Sequence, residues 1–278
     1  MSPPVLPAPT WFIGCGNMAG AMIDGWRSAG VGLADAVAIR PSGQPVEGVR
    51  TVASIAEALA DGAPPPKLAI LGFKPQKLDE VAPEFARLLT EETVVLSILA
   101  GVEAASLRGR FLRARSIVRA MPNLPVSIRR GVIALYSDDA DDPLRRQLSE
   151  LAATLGYALW ASSEATLAAI GSVAGAGPAY VARFIAALAK AGKGRGLPEG
   201  LATTIATETV LGTAWLAAAS QASMDEIVRR VASPNGTTEA GLAVLDRDGV
   251  LDALVGVTVE AAARRGAELA EEAADASS

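Results

Sequence analysis

The chain contains no histidine and a single cysteine, Cys15. Without histidine, Ser-His-Asp and Cys-His nucleophile systems are excluded. Without clustered His or Cys ligands, a zinc site is nearly excluded as well. Proton transfer is left to Lys, Tyr, carboxylates, hydroxyls or water. One cysteine makes no internal disulfide, which fits a reducing cytoplasm. Aromatic residues are scarce, at 4%. Because half the chain is nevertheless hydrophobic, the apolar bulk is Ala, Val, Leu and Ile, which points to helix-rich packing of small side chains. Basic charge is not in excess: the net charge is −5, the wrong sign for a nucleic-acid binder.

The first ten residues are rich in proline and lack a basic segment followed by an apolar one, so they do not read as a signal peptide. Mean hydropathy is high, at +0.31. The most apolar stretches nevertheless carry interruptions, Gly175-Ala176-Gly177-Pro178 and Arg183 in one and Glu208 in the other. Neither makes a clean span of ~20 apolar residues, and a buried helical core shared between subunits is expected instead of a membrane segment.

At ~100–200 residues per domain, 278 residues make one large domain or two ordinary ones. Residues 1–162 alternate short apolar runs with helical stretches. Strands are expected at residues 10–13, 36–39, 49–52, 68–72, 94–99, 116–120, 132–136 and 158–160. Helices are expected at 17–29, after the capping box Ser54-Ile55-Ala56-Glu57, from Pro75 to a break or kink at Pro83, and at 143–155. Continuous rather than alternating apolar strands mark a parallel sheet covered on both faces, and the alternation gives an α/β, doubly wound, Rossmann-like domain. Residues 163–278 read as all-helical. The expected helices are 164–191, interrupted at Gly175–Pro178, then 197–219, one opened by the capping box Ser223-Met224-Asp225-Glu226, 237–245 and 250–274. Several are apolar around much of their circumference, which requires a second copy of the chain as cover.

Gly14-Cys15-Gly16-Asn17-Met18-Ala19 follows the first strand and opens the first helix, in the pattern GxGxxA. Gly14 permits the tight turn, Gly16 lets backbone approach a pyrophosphate, and Ala19 lets helix and strand pack closely. The second strand ends in Arg40-Pro41-Ser42, where NAD sites place an acid. A guanidinium and a hydroxyl suit a 2′-phosphate, so NADPH is expected over NADH. Gly72-Phe73-Lys74-Pro75 and Ala100-Gly101 follow the fourth and fifth strands, at the ends where such sheets bind ligands. Met121-Pro122-Asn123-Leu124-Pro125 is a stiffened loop that walls the same crevice. In the helical half, Ser233-Pro234-Asn235-Gly236-Thr237-Thr238 joins two helices with hydroxyls and free amides. It suits a carboxylate cradle, the alternative being plain capping by Ser233 or Thr237.

GCGNMAG, FKP, MPNLPV, GAGPAY and VASPNGTTEAGLAVLD, in this order and spacing, resemble pyrroline-5-carboxylate reductase from Trp11 to about Leu269. The resemblance implies NADPH-preferring reduction of a cyclic imine to L-proline, and a C-terminal helical domain that interlocks in a homodimer, with decamers in several members. It places Gly14 to Ala19 on the pyrophosphate, Arg40 and Ser42 on the 2′-phosphate, and Gly72 to Pro75 with Ala100-Gly101 along the cofactor. It also places Ser233 to Thr238 on the substrate carboxylate, Thr238 near the ring nitrogen and Glu164 close to the ligands. The chain departs from the family pattern at Ala174 or Ala176 (Ser), Asn235 (Gly), Ser54 (Asn) and Arg230 (Asn). A protonated imine is already electrophilic, so the absence of histidine is no obstacle to this reaction. Two other readings stand beside it. A β-hydroxyacid dehydrogenase would need a lysine on the interdomain helix, where this chain has none between Gly171 and Lys190. A dinucleotide sensor without turnover would leave the Ser-Pro-Asn-Gly-Thr-Thr turn unexplained.

Overall fold

The computed structural model describes residues 4–220 and 222–275. Its strands are β1 (Thr10–Ile13), β2 (Ala36–Ile39), β3 (Arg50–Val52), β4 (Leu68–Leu71), β5 (Val94–Ser97), β6 (Ser116–Pro122), β7 (Gly131–Tyr136) and β8 (Gly156–Trp160). They form one sheet in the order β3-β2-β1-β4-β5-β6-β7-β8. All neighbours are parallel except β6 and β7, which run antiparallel. The chain reverses there through a 3-10 turn, Leu124–Ile128, rather than through a crossover helix. The order reverses between β1 and β4, which is where a doubly wound sheet opens a crevice at the carboxyl ends of its strands.

Both faces of the sheet are covered, as continuous apolar strands require. The helices of this part are α1 (Asn17–Ser28), α2 (Ile55–Ala60), α3 (Leu78–Ala86), α4 (Ala104–Arg110) and α5 (Asp142–Ala153). Phe12, Leu68 and Ile70 point to the face packed by Ile23 and Trp26 of α1 and Leu148 and Leu151 of α5. Their neighbours Trp11, Ile13, Ala69 and Leu71 point to the other face, packed by Ile55 of α2, Phe85 of α3 and Leu107 of α4. Each side chain reverses with the two-residue strand period.

Of the break or kink expected at Pro83, the break does not occur: Pro83 lies within α3. The residue is exposed, so the carbonyl of Asp79 that it leaves without an amide donor faces water, while Leu78, Ala82 and Phe85 hold the inward face. The interruption expected at Gly175–Pro178 takes the form of a π turn that begins four residues earlier. α6 (Glu164–Ile170) passes through a π turn, Gly171–Gly175, towards α7 (Gly177–Gly194). Pro178 has no N–H to give the carbonyl of Ala174, four residues back. That carbonyl instead accepts from Asn123 Nδ2 at 3.0 Å. A widened turn plus a side-chain donor therefore makes the interruption.

The remaining helices are α8 (Glu199–Ser220), α9 (Met224–Val231), α10 (Thr237–Leu245) and α11 (Val250–Asp275). The chain divides into two compact units, one reaching Ala176 and rejoined from Ala262, the other Gly177–Ala261. The second unit is all-helical. In it α7 and α8 pack as a hairpin with Ala202 and Ala206 buried. Among the described residues one helical stretch, Glu164–Gly194, has the length and hydropathy to cross a membrane, and 6% of that window is buried within the chain. Val181, Phe184 and Leu188 of α7, and Leu201, Ile205 and Leu211 of α8, are exposed.

Candidate active site

The GxGxxA segment forms the turn from β1 into α1. Gly14 donates its N–H to Ile39 O at 2.9 Å, and Gly72 donates to Ile13 O at 2.9 Å. These bonds tie the ends of β1, β2 and β4 together. Gly14 has φ +79°, and a Cβ there would stand 2.7 Å from the Cβ of Phe73. A Cβ on Gly72 would stand 2.6 Å from Gly14 O and 3.1 Å from the Cβ of Ala19. Gly14, Ala19 and Gly72 are therefore small because they pack on one another. Gly16 differs: a Cβ there would meet only Gly72 O, at 3.7 Å. The space above Gly16 is kept open by the absence of a side chain. Gly16 is also the N-cap of α1, with no side-chain cap and no acidic residue in the first turn. The first-turn amides, including those of Asn17 and Met18, are left for an anion, and the helix dipole favours one. Cys15 is buried and its thiol is pushed above the ordinary value by desolvation, which the charge of Arg40 partly opposes. It stays a neutral packing residue at neutral pH.

After β2 the chain makes a tight turn. Gly43 donates to Arg40 O at 2.8 Å, and Gln44 N donates to Ser42 Oγ at 3.4 Å. No carboxylate occurs from Arg40 to Val46. A guanidinium and a hydroxyl thus stand next to the Gly14 turn, where an adenosine 2′-phosphate would lie if the pyrophosphate sits on α1. With strands ~4.8 Å apart, the other half of a dinucleotide then runs over the ends of β4 and β5. There Phe73 packs on the core, Lys74 is exposed, and Pro75 opens a 3-10 turn, Pro75–Lys77. Ala100 and Gly101 follow β5. Gly101 has φ +76°, and a Cβ there would meet the backbone of Leu269 and Ala270 at 3.0 Å.

The Ser233 to Thr238 turn lies in the helical unit. Gly236 donates to Ser233 O at 3.0 Å, and Asn235 has φ +56°. That left-handed conformation is one that Asn tolerates and that Gly adopts freely. Gly236 is the N-cap of α10 and makes no side-chain cap. Neither Ser233 nor Thr237 consumes the first-turn amides. Instead Glu239 folds back and accepts from Asn235 N at 2.5 Å.

Glu164 belongs to the unit that holds the sheet. One of its carboxylate oxygens accepts from Ala104 N at 2.8 Å, and the other takes a hydrogen bond from Arg119 Nη1. Arg119 and Glu239 were not singled out from sequence. Glu239 carried a signal, an acid three residues after an N-cap. Arg119 carried another, a lone cation inside the apolar run of β6, since a buried charge demands a partner. Tyr136, opposite Arg119 in the ladder, is no acid near neutrality. Its hydroxyl bonds to Asp138, which pushes its pKa up to about 12.

Residues 11–101 match a family model described as NADP oxidoreductase coenzyme F420-dependent. Residues 164–269 match one described as pyrroline-5-carboxylate reductase dimerisation. The chain is 37% identical over 268 residues to a pyrroline-5-carboxylate reductase of Pseudomonas aeruginosa, covering 94% of this chain and 96% of that one. The chain belongs to the pyrroline-5-carboxylate reductase family. A reductase of this family from Synechocystis is 38% identical over 73% of this chain and 75% of its own. The solved pyrroline-5-carboxylate reductase of Coxiella burnetii superposes with a TM-score of 0.83 at 29% identity, covering 95% of this chain and 99% of that one. A Plasmodium falciparum pyrroline carboxylate reductase with NADP bound shares the fold, with TM-score 0.83 at 22% identity over 95% and 98% of the two chains.

Proposed function

We propose that the chain reduces 1-pyrroline-5-carboxylate to L-proline with NADPH, the last step of proline biosynthesis. The observation that carries this reading is the Ser233–Thr238 turn. In a member of this family, a left-handed Asn235 and an uncapped α10 leave backbone amides and two threonine hydroxyls for one small anion. Bound NADPH supplies a hydride to the carbon of the C=N bond, and the proton already on the nitrogen stays there, so imine and hydride balance to the amine. The first-turn amides of α10 hold the substrate carboxylate, with Asn235, Gly236 and Thr237 shaping the cradle. Thr238 orients the ring nitrogen, and Ser233 supports the turn. Gly14 to Ala19 hold the pyrophosphate, and Gly72 to Pro75 with Ala100 and Gly101 wall the nicotinamide half. The test is oxidation of NADPH by purified protein with pyrroline-5-carboxylate, with hydroxyacids and with no added substrate. Turnover with hydroxyacids alone would favour the dehydrogenase reading, and none with any substrate would favour a sensor.

Arg40 and Ser42 make the cofactor choice, with NADH as the weaker donor. Losing one charge-assisted phosphate contact costs about 1.5–3 kcal/mol. Arg40→Ala is therefore expected to weaken NADPH about 10- to 150-fold in a fluorescence titration while NADH changes little. Equal losses for both would remove Arg40 from the 2′-phosphate.

The exposed apolar residues of α7 and α8 support a homodimer through the helical half, alone or within a higher assembly such as a decamer. Light scattering at low micromolar concentration should give at least twice the 28.4 kDa of one chain. A mass near 28.4 kDa for active protein would refute it. We read the apolar helices as covered by protein rather than lipid, and the single cysteine as fitting the cytoplasm. The acidic net charge speaks against nucleic acid as a partner.

A further inference from the structure

We propose that Arg119 and Glu164 are a positioning pair that fixes the cofactor loop after β5, and that Glu164 acts through this loop rather than by touching the substrate. The inference rests on the reading of the Ala100-Gly101 loop as the wall of the nicotinamide half. That loop, residues 98–103, is anchored at both ends. At its start, Leu99 N donates to Ser97 Oγ at 3.2 Å, and Ser97 lies opposite Arg119 in the β5–β6 ladder. At its end, Ala104 is the first residue of α4, and its N–H donates to Glu164 Oε1 at 2.8 Å. The N-cap of α4, Glu103, makes no side-chain cap, so the Glu164 carboxylate supplies the cap from the first turn of α6.

The second carboxylate oxygen pairs with Arg119, whose side chain is 8% exposed against 26% for Glu164. A guanidinium so placed cannot rotate away into water, and it fixes where the carboxylate stands. Both oxygens of Glu164 are thus committed within the protein. A bound substrate carboxylate would also be repelled by the Glu164 carboxylate, whereas the backbone amide of Ala104 is attracted by it. One carboxylate therefore joins β6, the head of α4 and the head of α6, with Gly101 three residues before the amide it holds.

A structural pair and a positioning pair part company when both charges are replaced together. Removing one partner leaves the other charge buried and uncompensated, whereas two apolar residues of similar volume are often neutral or stabilising. Arg119→Met and Glu164→Met should each lower the melting temperature, and the double variant should recover most of that loss. Its Ala104 amide still lacks an acceptor, so the loop stays loose. A displacement of ~1 Å in the reacting geometry costs on the order of 100-fold. We expect the double variant to have kcat at least about tenfold below wild type, with KM for the imine within about threefold. NADPH should bind several-fold more weakly in a fluorescence titration that needs no turnover. A double variant with wild-type NADPH affinity and wild-type kcat would overturn the proposal. So would a Glu164→Met variant whose only change is a tenfold rise in imine KM, since that is the behaviour of a substrate ligand. If the wild-type protein binds NADPH but turns over no imine, the functional reading fails, and the binding arm still decides the role of the pair.

Discussion

Gly14→Ala and Gly16→Ala, two residues apart in one loop, are expected to fail in different ways. At Gly14 the backbone is left-handed and a methyl would stand 2.7–2.9 Å from the Cβ, N and Cα of Phe73. The left-handed conformation alone costs an L residue roughly 1–2 kcal/mol. Overpacking against a backbone adds typically about 1–3 kcal/mol. Gly14→Ala should therefore melt roughly 5–10 °C lower, and it should also lose NADPH binding because the turn that aims α1 has moved. At Gly16 a methyl meets nothing nearer than Gly72 O at 3.7 Å, and φ lies in the ordinary range at −84°. Gly16→Ala should melt within about 2 °C of wild type, yet bind NADPH at least about tenfold more weakly, because the methyl occupies the space reserved for a pyrophosphate. Melting curves and fluorescence titrations on the two variants check both. Full NADPH affinity in Gly16→Ala would show that the loop is merely a tight turn.

The contrast between these glycines also shows how far the sequence can be read. The GxGxxA pattern places both residues, because spacing alone reports a strand, a turn and a helix start. It cannot report that Gly14 is small for the sake of Phe73 while Gly16 faces open space, since Phe73 comes from the loop after β4. The sheet strands were legible for a related reason: runs such as Leu68–Leu71 are apolar without alternation and end at glycine. The strand at 132–136 was legible too, but its antiparallel direction was not, because a reversal through the 3-10 turn Leu124–Ile128 leaves the same local pattern as a crossover. The form of the interruption at Gly175–Pro178 was not legible for a third reason. Local rules break a helix at Gly and Pro, but the carbonyl that Pro178 strands is taken by Asn123, 51 residues away. Arg119 and Glu164 likewise meet only through the fold. Arg119, a lone cation in the apolar run of β6, needs a partner, and the structure shows it to be Glu164.

Thr238→Ala separates a residue that handles substrate from one that holds a helix. The N-cap of α10 is Gly236, with no side-chain cap, and the acid of the first turn, Glu239, reaches back to Asn235. The Thr238 hydroxyl is therefore not what closes the helix, and its removal leaves the turn and its amides in place. If the hydroxyl orients the ring nitrogen in the transition state, losing that hydrogen bond to a charged group costs about 1.5–3 kcal/mol, or roughly 10- to 150-fold in turnover. NADPH affinity should be unchanged, because the cofactor loops lie in the other compact unit. Thr238→Ser keeps a hydroxyl and should recover most of the rate. Ser233→Ala should lose less, since Ser233 supports the turn through its carbonyl bond from Gly236 N, which the substitution preserves. Were Thr238 a cap after all, its loss would cost about 1 kcal/mol of stability and leave the rate per folded molecule near wild type. Melting temperature and kcat measured on one preparation decide the matter. A destabilised but fully active Thr238→Ala would take the orientation of the ring nitrogen off this residue and leave it to the α10 amides, with water.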